Sequence, residues 1–195
     1  MDPYVYHGTN VLKNLRDLRD QTELDDFEAD VTSRRLRQLL KKPPRGSFDI
    51  PHLQSIHRHI FQDIYPWAGE FRKVNIARTG QFFFAFHEQI ASVLTQTFDT
   101  LRKEQHQRYS DPRKFANRTA YYLGELNAIH PFRDGNGRTQ REFIRQVALH
   151  AGYTLNWFHV SRDQMYKASQ QSFHSGDNQG LEDAIIRAVA IDPIS

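Results

Sequence analysis

The segment that organises the rest of the chain is His130-Pro131-Phe132-Arg133-Asp134-Gly135-Asn136-Gly137-Arg138-Thr139-Gln140-Arg141. Its glycines, Gly135 and Gly137, permit positive φ and a close approach of the backbone to a ligand. A helix that begins near Asn136 presents its first N–H groups and the positive end of its dipole at this point, which favours anions. We therefore predict an anion-binding turn at the start of a helix.

The polar side chains of this segment are those that phosphoryl or nucleotidyl transfer requires. His130 can act as a general base near neutral pH, and Asp134 offers an oxygen ligand suited to Mg²⁺. Arg138 and Arg141 are three residues apart, so both can reach one phosphate chain from the same helix face. We expect Phe132 to anchor the segment in the core. A purely structural turn with a capping aspartate and surface arginines is the alternative.

Helical patterns flank this segment on both sides. The first is predicted from the N-cap Asp111 to Ile129, because the residue before Pro131 is disfavoured in the α region. The second is predicted from Asn136 to Gly152, a glycine typical of a helix C-terminus. Both helices carry a continuous apolar stripe, so we expect them to pack at the centre of the molecule.

Further helical segments are predicted at Thr9–Lys42, Pro51–Tyr65, Asp163–Phe173 and Leu181–Ile191. Two prolines and a glycine interrupt the pattern at residues 43–46, where a helix cannot continue. We therefore predict an N-terminal helical arm, residues 1–45, and a core, residues 46–195. The predicted core holds a flap at about residues 69–87, an active-site loop at 130–141 and the C-terminal helices.

Residues 69–87 depart from helical periodicity. Arg78-Thr79-Gly80 is a turn candidate, and Gln81–Phe86 is a β-prone run. We predict a short β-hairpin in an otherwise all-α protein. Because an isolated hairpin is marginally stable, it must pack on the domain or on a partner. We expect at least two of its four phenylalanines, within residues 82–86, to lie in the core.

Composition excludes several classes of protein. With 195 residues, 38% hydrophobic and 12% aromatic, the chain can build a core, which excludes wholesale disorder. It has no cysteine, which excludes disulfides, thiolate metal sites and a cysteine nucleophile. No apolar run is long enough to span a bilayer, and a net charge of +3 does not by itself predict nucleic-acid binding. We expect a cytoplasmic protein that binds neither membrane nor nucleic acid.

The segment at 130–141 resembles the signature of the Fic (filamentation induced by cAMP) family, His-x-Phe-x-Asp/Glu-Gly-Asn-Gly-Arg-x-x-Arg. All fixed positions match: His130, Phe132, Asp134, Gly135, Asn136, Gly137, Arg138 and Arg141. The likeness extends to Trp67-Ala68-Gly69 and to His150-Ala151-Gly152-Tyr153. It implies the Fic fold, an α-helical core with a β-hairpin flap, in a bacterial protein.

The same resemblance implies transfer of AMP from ATP to a Ser, Thr or Tyr hydroxyl of a target protein, with release of pyrophosphate. It makes His130 the base and Asp134 the Mg²⁺ ligand. It implies that Gly135, Asn136 and Gly137 form the anion hole. It also implies that Arg138 and Arg141 bind the β- and γ-phosphates. It also implies that the flap residues Phe83, Phe84, Ala85 and Phe86 dock the target by strand addition.

Regulation and chemistry leave alternatives open. Many Fic proteins carry an inhibitory Ser/Thr-x-x-x-Glu-Gly/Asn helix, whereas here Thr100-x-x-x-Glu104 is followed by Gln105. The resemblance therefore implies a separate antitoxin that supplies a glutamate to Arg141, or else an unrestrained effector domain translocated into a host cell. Relatives that resemble Doc are kinases with Lys where Gly137 stands. Transfer of another nucleotide, removal of AMP and non-catalytic anion binding are the remaining alternatives.

Overall fold

The computed structural model describes residues 2–79, 82–104 and 111–189. Within those ranges the chain forms seven α-helices and one two-stranded antiparallel sheet. In chain order the elements are α1 (Gln21–Lys41), α2 (Ile50–Phe61), β1 (Ala77–Thr79), β2 (Phe82–Phe83), α3 (Ile90–Glu104), α4 (Pro112–Ile129), α5 (Asn136–His150), α6 (Arg162–Ser175) and α7 (Gln179–Ala188). This architecture confirms the prediction of an all-α fold with a short hairpin.

Helix α4 begins and ends where the sequence predicts, and α5 begins at the predicted residue and ends two residues before Gly152. The side chain of Asp111 accepts the backbone N–H of Arg113 and caps α4, which ends at Ile129. Helix α5 ends at His150, and Gly152 follows its C-cap residue with φ of +90°. The two helices pack against each other, with α7 covering α4 and α2 covering α5. Their junction is the segment at 130–141.

The N-terminal helix is shorter than predicted. It begins at Gln21 rather than near Thr9, and the Asp20 side chain caps it. The preceding residues form turns because the Asn14 side chain accepts the backbone N–H groups of Arg16 and Leu18, which offers the backbone an alternative to helical bonding. The buried Val11, Leu12, Leu24, Val31 and Leu39 from residues 1–45 belong to the same hydrophobic cluster as the central helices.

Two further helix predictions need correction. Helix α2 ends at Phe61 instead of Tyr65, because Pro66 disfavours the α conformation at Tyr65. Helix α3 was not predicted. Its buried residues nevertheless follow helical spacing, a signal present in the sequence: Ile90, Leu94, Thr97, Phe98 and Leu101.

The hairpin is confirmed, but its strands are short. Ala77 pairs with Phe83 and Thr79 with Phe82, with a register irregularity between them. The expectation that at least two phenylalanines lie in the core is wrong: Phe84 is 6% exposed, whereas Phe82, Phe83 and Phe86 are 58%, 53% and 50% exposed. The described strands pair at two positions, so the sheet is too small for the phenylalanines on both of its faces to be buried.

Some predicted positions lie outside the described residues, namely Gly80, Gln81, Gln105 and the end of the last helix at Ile191. In the part of the chain that the structure describes, no helix is long and apolar enough to cross a membrane.

Candidate active site

His130 lies at the junction of α4 and α5 in an unusual backbone conformation. It is the C-cap residue of α4, with φ of 49° and ψ of 61°, the left-handed region that residues other than glycine seldom adopt. Its ring stacks on Phe84 of the flap, with centroids 3.9 Å apart and planes 15° apart. The expected flap residue and the expected base are therefore in direct contact.

The imidazole of His130 is held as a neutral tautomer. Its Nδ1 lies 3.3 Å from the backbone oxygen of Asn127, which can only accept, so Nδ1 carries the proton and Nε2 keeps its lone pair. Burial lowers the pKa of His130 to about 4, and the positive charges of Arg78 and Arg72 contribute to the lowering. The ring is therefore uncharged at neutral pH and can accept a proton.

Arg72 joins His130 to the flap. Its side chain is buried, and its Nε donates to the backbone oxygen of His130 at 2.9 Å. Its terminal nitrogens donate to the backbone oxygens of Ile129, Val74 and Ala85. One guanidinium thus ties the end of α4 to both sides of the flap base. This role of Arg72 was not predicted from the sequence.

The turn after His130 is closed by an asparagine. The Asn136 side chain accepts the backbone N–H of Phe132 at 2.9 Å and donates to the backbone oxygen of the same residue at 2.8 Å. Asn136 is 3% exposed, and the Phe132 side chain is 1% exposed in the core. This arrangement fits the anchoring role expected for Phe132, and it makes Asn136 a structural clamp of the loop.

His57 supports the same turn from α2. Its ring stacks on Phe132, with centroids 3.8 Å apart. Its Nδ1 accepts the backbone N–H of Gly69 at 2.8 Å, so Nε2 carries the proton that it donates to the backbone oxygen of Asp134 at 3.1 Å. Burial lowers the pKa of His57 to about 3, which keeps the ring neutral. With both ring nitrogens occupied by backbone, His57 is no metal ligand.

The start of α5 has the backbone geometry expected of an anion site. Gly135 is the N-cap with φ of +78°, and a Cβ at this position would approach the Phe61 ring to 2.3 Å. No side chain caps the helix, so its first N–H groups have no intrahelical or side-chain acceptor. A Cβ at Gly137 would lie 3.2 Å from an Nη atom of Arg141. Glycine at 135 is therefore required by the backbone conformation and by the packing of Phe61, whereas glycine at 137 leaves room beside Arg141 on the cavity side.

The two arginines of the segment differ in their partners. Nη2 of Arg138 lies 2.6 Å from Oε1 of Glu28 in α1, a contact that the sequence analysis did not anticipate. Within the described residues, Arg141 forms no ion pair with a carboxylate. Burial lowers the pKa of Arg141 to about 10, and the positive charges of Arg138 and Arg162 add to the effect. An anion at Arg141 would therefore be doubly favoured, by charge and by hydrogen bonding.

Asp134 is the candidate metal ligand. Its carboxylate is 44% exposed and lies 3.9 Å from the Arg138 guanidinium. Burial of part of the group raises its pKa, and the charge of Glu28 adds to the rise. Among the residues that the structure describes, no three His, Asp or Glu side chains cluster as a complete metal cage. One accessible carboxylate fits Mg²⁺ that takes its other ligands from phosphates and water.

A cavity of about 1240 Å³ is lined by part of the motif, whereas Asp134 and Arg138 are not among its lining residues. His130, Gly137 and Arg141 line it on the side of the motif, and Arg78 and Phe84 line it from the flap. The far side is formed by the turn after α5 and by α6, with these lining residues: Trp157, Val160, Met165, Tyr166 and Ser169. This volume and mixed lining suit a nucleotide-sized ligand.

Trp157 borders the cavity. Its Nε1 donates to the backbone oxygen of Arg141 at 3.1 Å, which ties the far wall to α5. The preceding residue, Asn156, accepts the backbone N–H of Phe158 and is absent from the lining.

Arg78 brings a positive charge from the flap into the cavity. Its guanidinium donates to the Asn127 side chain and to the Ser169 backbone oxygen, both at 3.3 Å. It also lies over the rings of Tyr166 and Phe173, at 5.7 and 5.5 Å from their centroids. These contacts fix the flap over the cavity, while Phe82, Phe83 and Phe86 remain exposed on its outside.

Glu28, His57, Arg72 and Arg78 lie far along the chain from the residues that they support. Helical spacing alone does not distinguish them from surface or core residues, and only the tertiary structure brings them to the motif. The segment at 130–141, by contrast, could be identified from its local chemistry.

Comparison with known proteins gives a consistent result. A family model described as the Fic/DOC family matches residues 47–148. The chain is 42% identical over 95% of its length to protein adenylyltransferase VbhT of Bartonella schoenbuchensis, and it spans 38% of that protein. It is 38% identical to "Probable protein adenylyltransferase y4lH" of Sinorhizobium fredii, over 96% of each chain.

The fold is likewise similar to that of a solved structure. The crystal structure of BepC from Bartonella tribocorum, a VirB-translocated effector protein with bound AMPPNP, superposes with a TM-score of 0.89. The match covers 97% of each chain at 25% identity.

Proposed function

This chain is a member of the Fic/DOC family, and we propose that it is a protein adenylyltransferase that moves AMP from ATP to a Ser, Thr or Tyr hydroxyl of a target protein. The observation that carries the proposal is the neutral His130 beside an uncapped helix N-terminus and Arg141, all facing one cavity. An anion-binding module has no need of a buried base, so this combination favours catalysis over binding alone.

In the proposed reaction the target hydroxyl oxygen attacks the α-phosphorus of ATP. The bond between the α-phosphorus and the bridging oxygen to the β-phosphate breaks, and pyrophosphate leaves. The hydroxyl proton passes to Nε2 of His130. The negative charge of a bound triphosphate raises the pKa of His130 from its low value in the free protein, which strengthens it as a base.

The remaining motif residues stabilise charge. The N–H groups at Gly135–Gly137 would bind the α-phosphate, where negative charge develops during transfer. Arg141 would bind the terminal phosphate, and Arg138 the β-phosphate. Asp134 would hold Mg²⁺, which when bound neutralises phosphate charge. The exposed side chains of Phe83 and Phe86 would dock the target, while Phe84 and Ala85 hold the flap against α4.

A separate inhibitory protein is part of the proposal. Arg141 has no carboxylate partner within the described residues, so a glutamate supplied by a small antitoxin would compete with the γ-phosphate for it. A lack of effect of every co-encoded small helical protein on AMP transfer would count against this antitoxin. We place the reaction in the bacterial cytoplasm, with translocation into a host cell as the alternative that the BepC likeness raises.

The test uses ATP labelled with ³²P at the α- or the γ-phosphate, Mg²⁺ and a bacterial lysate. We expect α-label on a protein band with the wild type and none with His130→Ala, because the variant lacks the base. Transfer of γ-label instead would establish a kinase. A protein that binds ATP but transfers neither label, in lysates of several bacteria and with UTP and GTP as well, would overturn the proposed function.

A further inference from the structure

Glu28 brings a carboxylate from α1 to Arg138, the first arginine of the motif. It lies outside the motif by more than a hundred residues, yet its Oε1 accepts Nη2 of Arg138 at 2.6 Å. Its other oxygen accepts the hydroxyl of Tyr65. The Glu28 side chain is 14% exposed, so the pair is shielded from solvent and from salt screening. Both oxygens of Glu28 therefore have fixed partners.

Arg138 is held in one orientation by the same helix. One turn after Glu28, the Thr32 hydroxyl lies 3.4 Å from Nη1 of Arg138. The guanidinium carbon also lies 4.8 Å from the centre of the Phe61 ring in α2. Contacts to two side chains of α1 and to one aromatic face define both the position and the plane of the guanidinium. An arginine on an exposed helix start would otherwise sample many rotamers.

We propose that Glu28 is a positioning residue that acts through Arg138 and orients its guanidinium for the phosphates of the nucleotide. This inference rests on the proposed function, and it deepens that function by making α1 part of the nucleotide site.

The contacts of Arg138 indicate that Glu28 orients the arginine for the nucleotide and does not hold it back from the nucleotide. A guanidinium has five N–H groups, and Glu28 and Thr32 take one each, which leaves three for an anion. Glu28 does not need to leave when phosphate binds, because Tyr65 and Arg138 continue to satisfy both of its oxygens. Arg141 differs, since no described carboxylate pairs with it and its orientation is left to the ligand.

A double-mutant cycle on ATP binding tests this inference without relying on transfer. The affinity for ATP with Mg²⁺ is measured by calorimetry for Arg138→Ala, Glu28→Ala and the double variant, all in a His130→Ala background that prevents turnover. We expect Arg138→Ala to weaken binding about ten-fold when Glu28 is present and less than about three-fold when it is absent. The reason is that an unoriented arginine contributes less to phosphate binding.

Two further variants serve as controls. Glu28→Gln keeps an oxygen acceptor for Arg138. In the Glu28→Gln background, Arg138→Ala should therefore weaken ATP binding nearly as much as it does when Glu28 is present. Glu23→Gln removes an exposed carboxylate from the same helix and should leave affinity unchanged. A melting curve for each variant separates loss of orientation from loss of fold.

Three results would overturn the inference. Equal costs of Arg138→Ala in both backgrounds would show that Glu28 does not act through Arg138. Tighter ATP binding by Glu28→Ala, with a larger cost of Arg138→Ala, would show that Glu28 restrains the arginine. An equal loss of ATP affinity in Glu28→Gln and Glu28→Ala would show that the acceptor oxygen at position 28 does not orient Arg138. Absence of α-label transfer by the wild type would contradict the proposed function while leaving the cycle valid.

Discussion

The loop at 130–141 and the flap hairpin face the same cavity, but the loop is enclosed by its neighbours, whereas Arg72 and Arg78 hold the flap on its inner side and leave its outer side exposed. The loop is fixed from several sides: Asn136 clamps Phe132, His57 holds the Asp134 backbone, and Arg72 holds that of His130. The flap has two cross-strand pairs, and three of its four phenylalanines are exposed.

This difference matches what the two regions are proposed to do. Groups that stabilise a transition state must be in place before the reaction, because reorganisation during the reaction costs rate. A surface that binds the extended segment of a target needs free strand edges and exposed apolar side chains instead. Arg72 connects the two regions, so a target strand on the flap would be held at a defined distance from His130.

The largest effect should follow from removing the clamp of the loop. Asn136→Ala would leave the buried N–H and C=O groups of Phe132 without their partner, at a cost of about 1–3 kcal/mol each. We expect a loss of about 2–6 kcal/mol in the free energy of unfolding, measured by urea denaturation. Asn117→Ala is the matched control, because that side chain bonds Glu182 on the surface, and it should change stability by less than about 0.5 kcal/mol. Equal effects of the two substitutions would mean that the loop is not held by its buried amide.

The parts of this architecture that the sequence predicts are those determined by neighbours along the chain. The cap at Asp111, the end of α4 before Pro131 and the turn at Gly135 follow from local chemistry, and the structure has them. The start of α1 was missed because the Asn14 side chain stabilises a turn that periodicity does not reveal. Arg72, His57 and Glu28 gain their roles only when α1, α2 and the flap pack around the loop. The candidate motif was therefore predictable from the sequence, whereas the residues from other elements that hold it in place were not.

A smaller effect is expected in acid, where the free energy of unfolding should fall as the pH falls. Unfolded histidine has a pKa of 6.5, whereas His57 and His130 in the folded protein have pKa values of about 3 and about 4. Between pH 6.5 and about 4 the unfolded chain therefore binds more protons than the folded one, and stability is lost as the pH falls. Each histidine should contribute a slope of about 1.4 kcal/mol per pH unit in this window.

The slope of stability against pH isolates this contribution from the effect of a mutation on packing. His57→Gln should reduce the slope below pH 6 by about 1.4 kcal/mol per pH unit, whatever its effect at neutral pH. Urea denaturation at several pH values between 5 and 8 measures both curves. Parallel curves over the whole range would mean that His57 is protonated in the folded protein as readily as in the unfolded one.

The smallest effect on stability is expected on the outside of the flap. Phe83→Ser and Phe86→Ser replace side chains that are 53% and 50% exposed, so each should change the free energy of unfolding by less than about 0.5 kcal/mol. AMP transfer to the target protein should nevertheless fall, with ATP affinity unchanged, because the docking surface loses its apolar side chains. Phe158→Ser removes a phenylalanine that is 93% exposed outside the flap, and it should leave transfer intact. If the flap variants lost stability as Asn136→Ala does, the hairpin would be as rigidly built as the loop, and adaptable docking could not explain its exposed side chains.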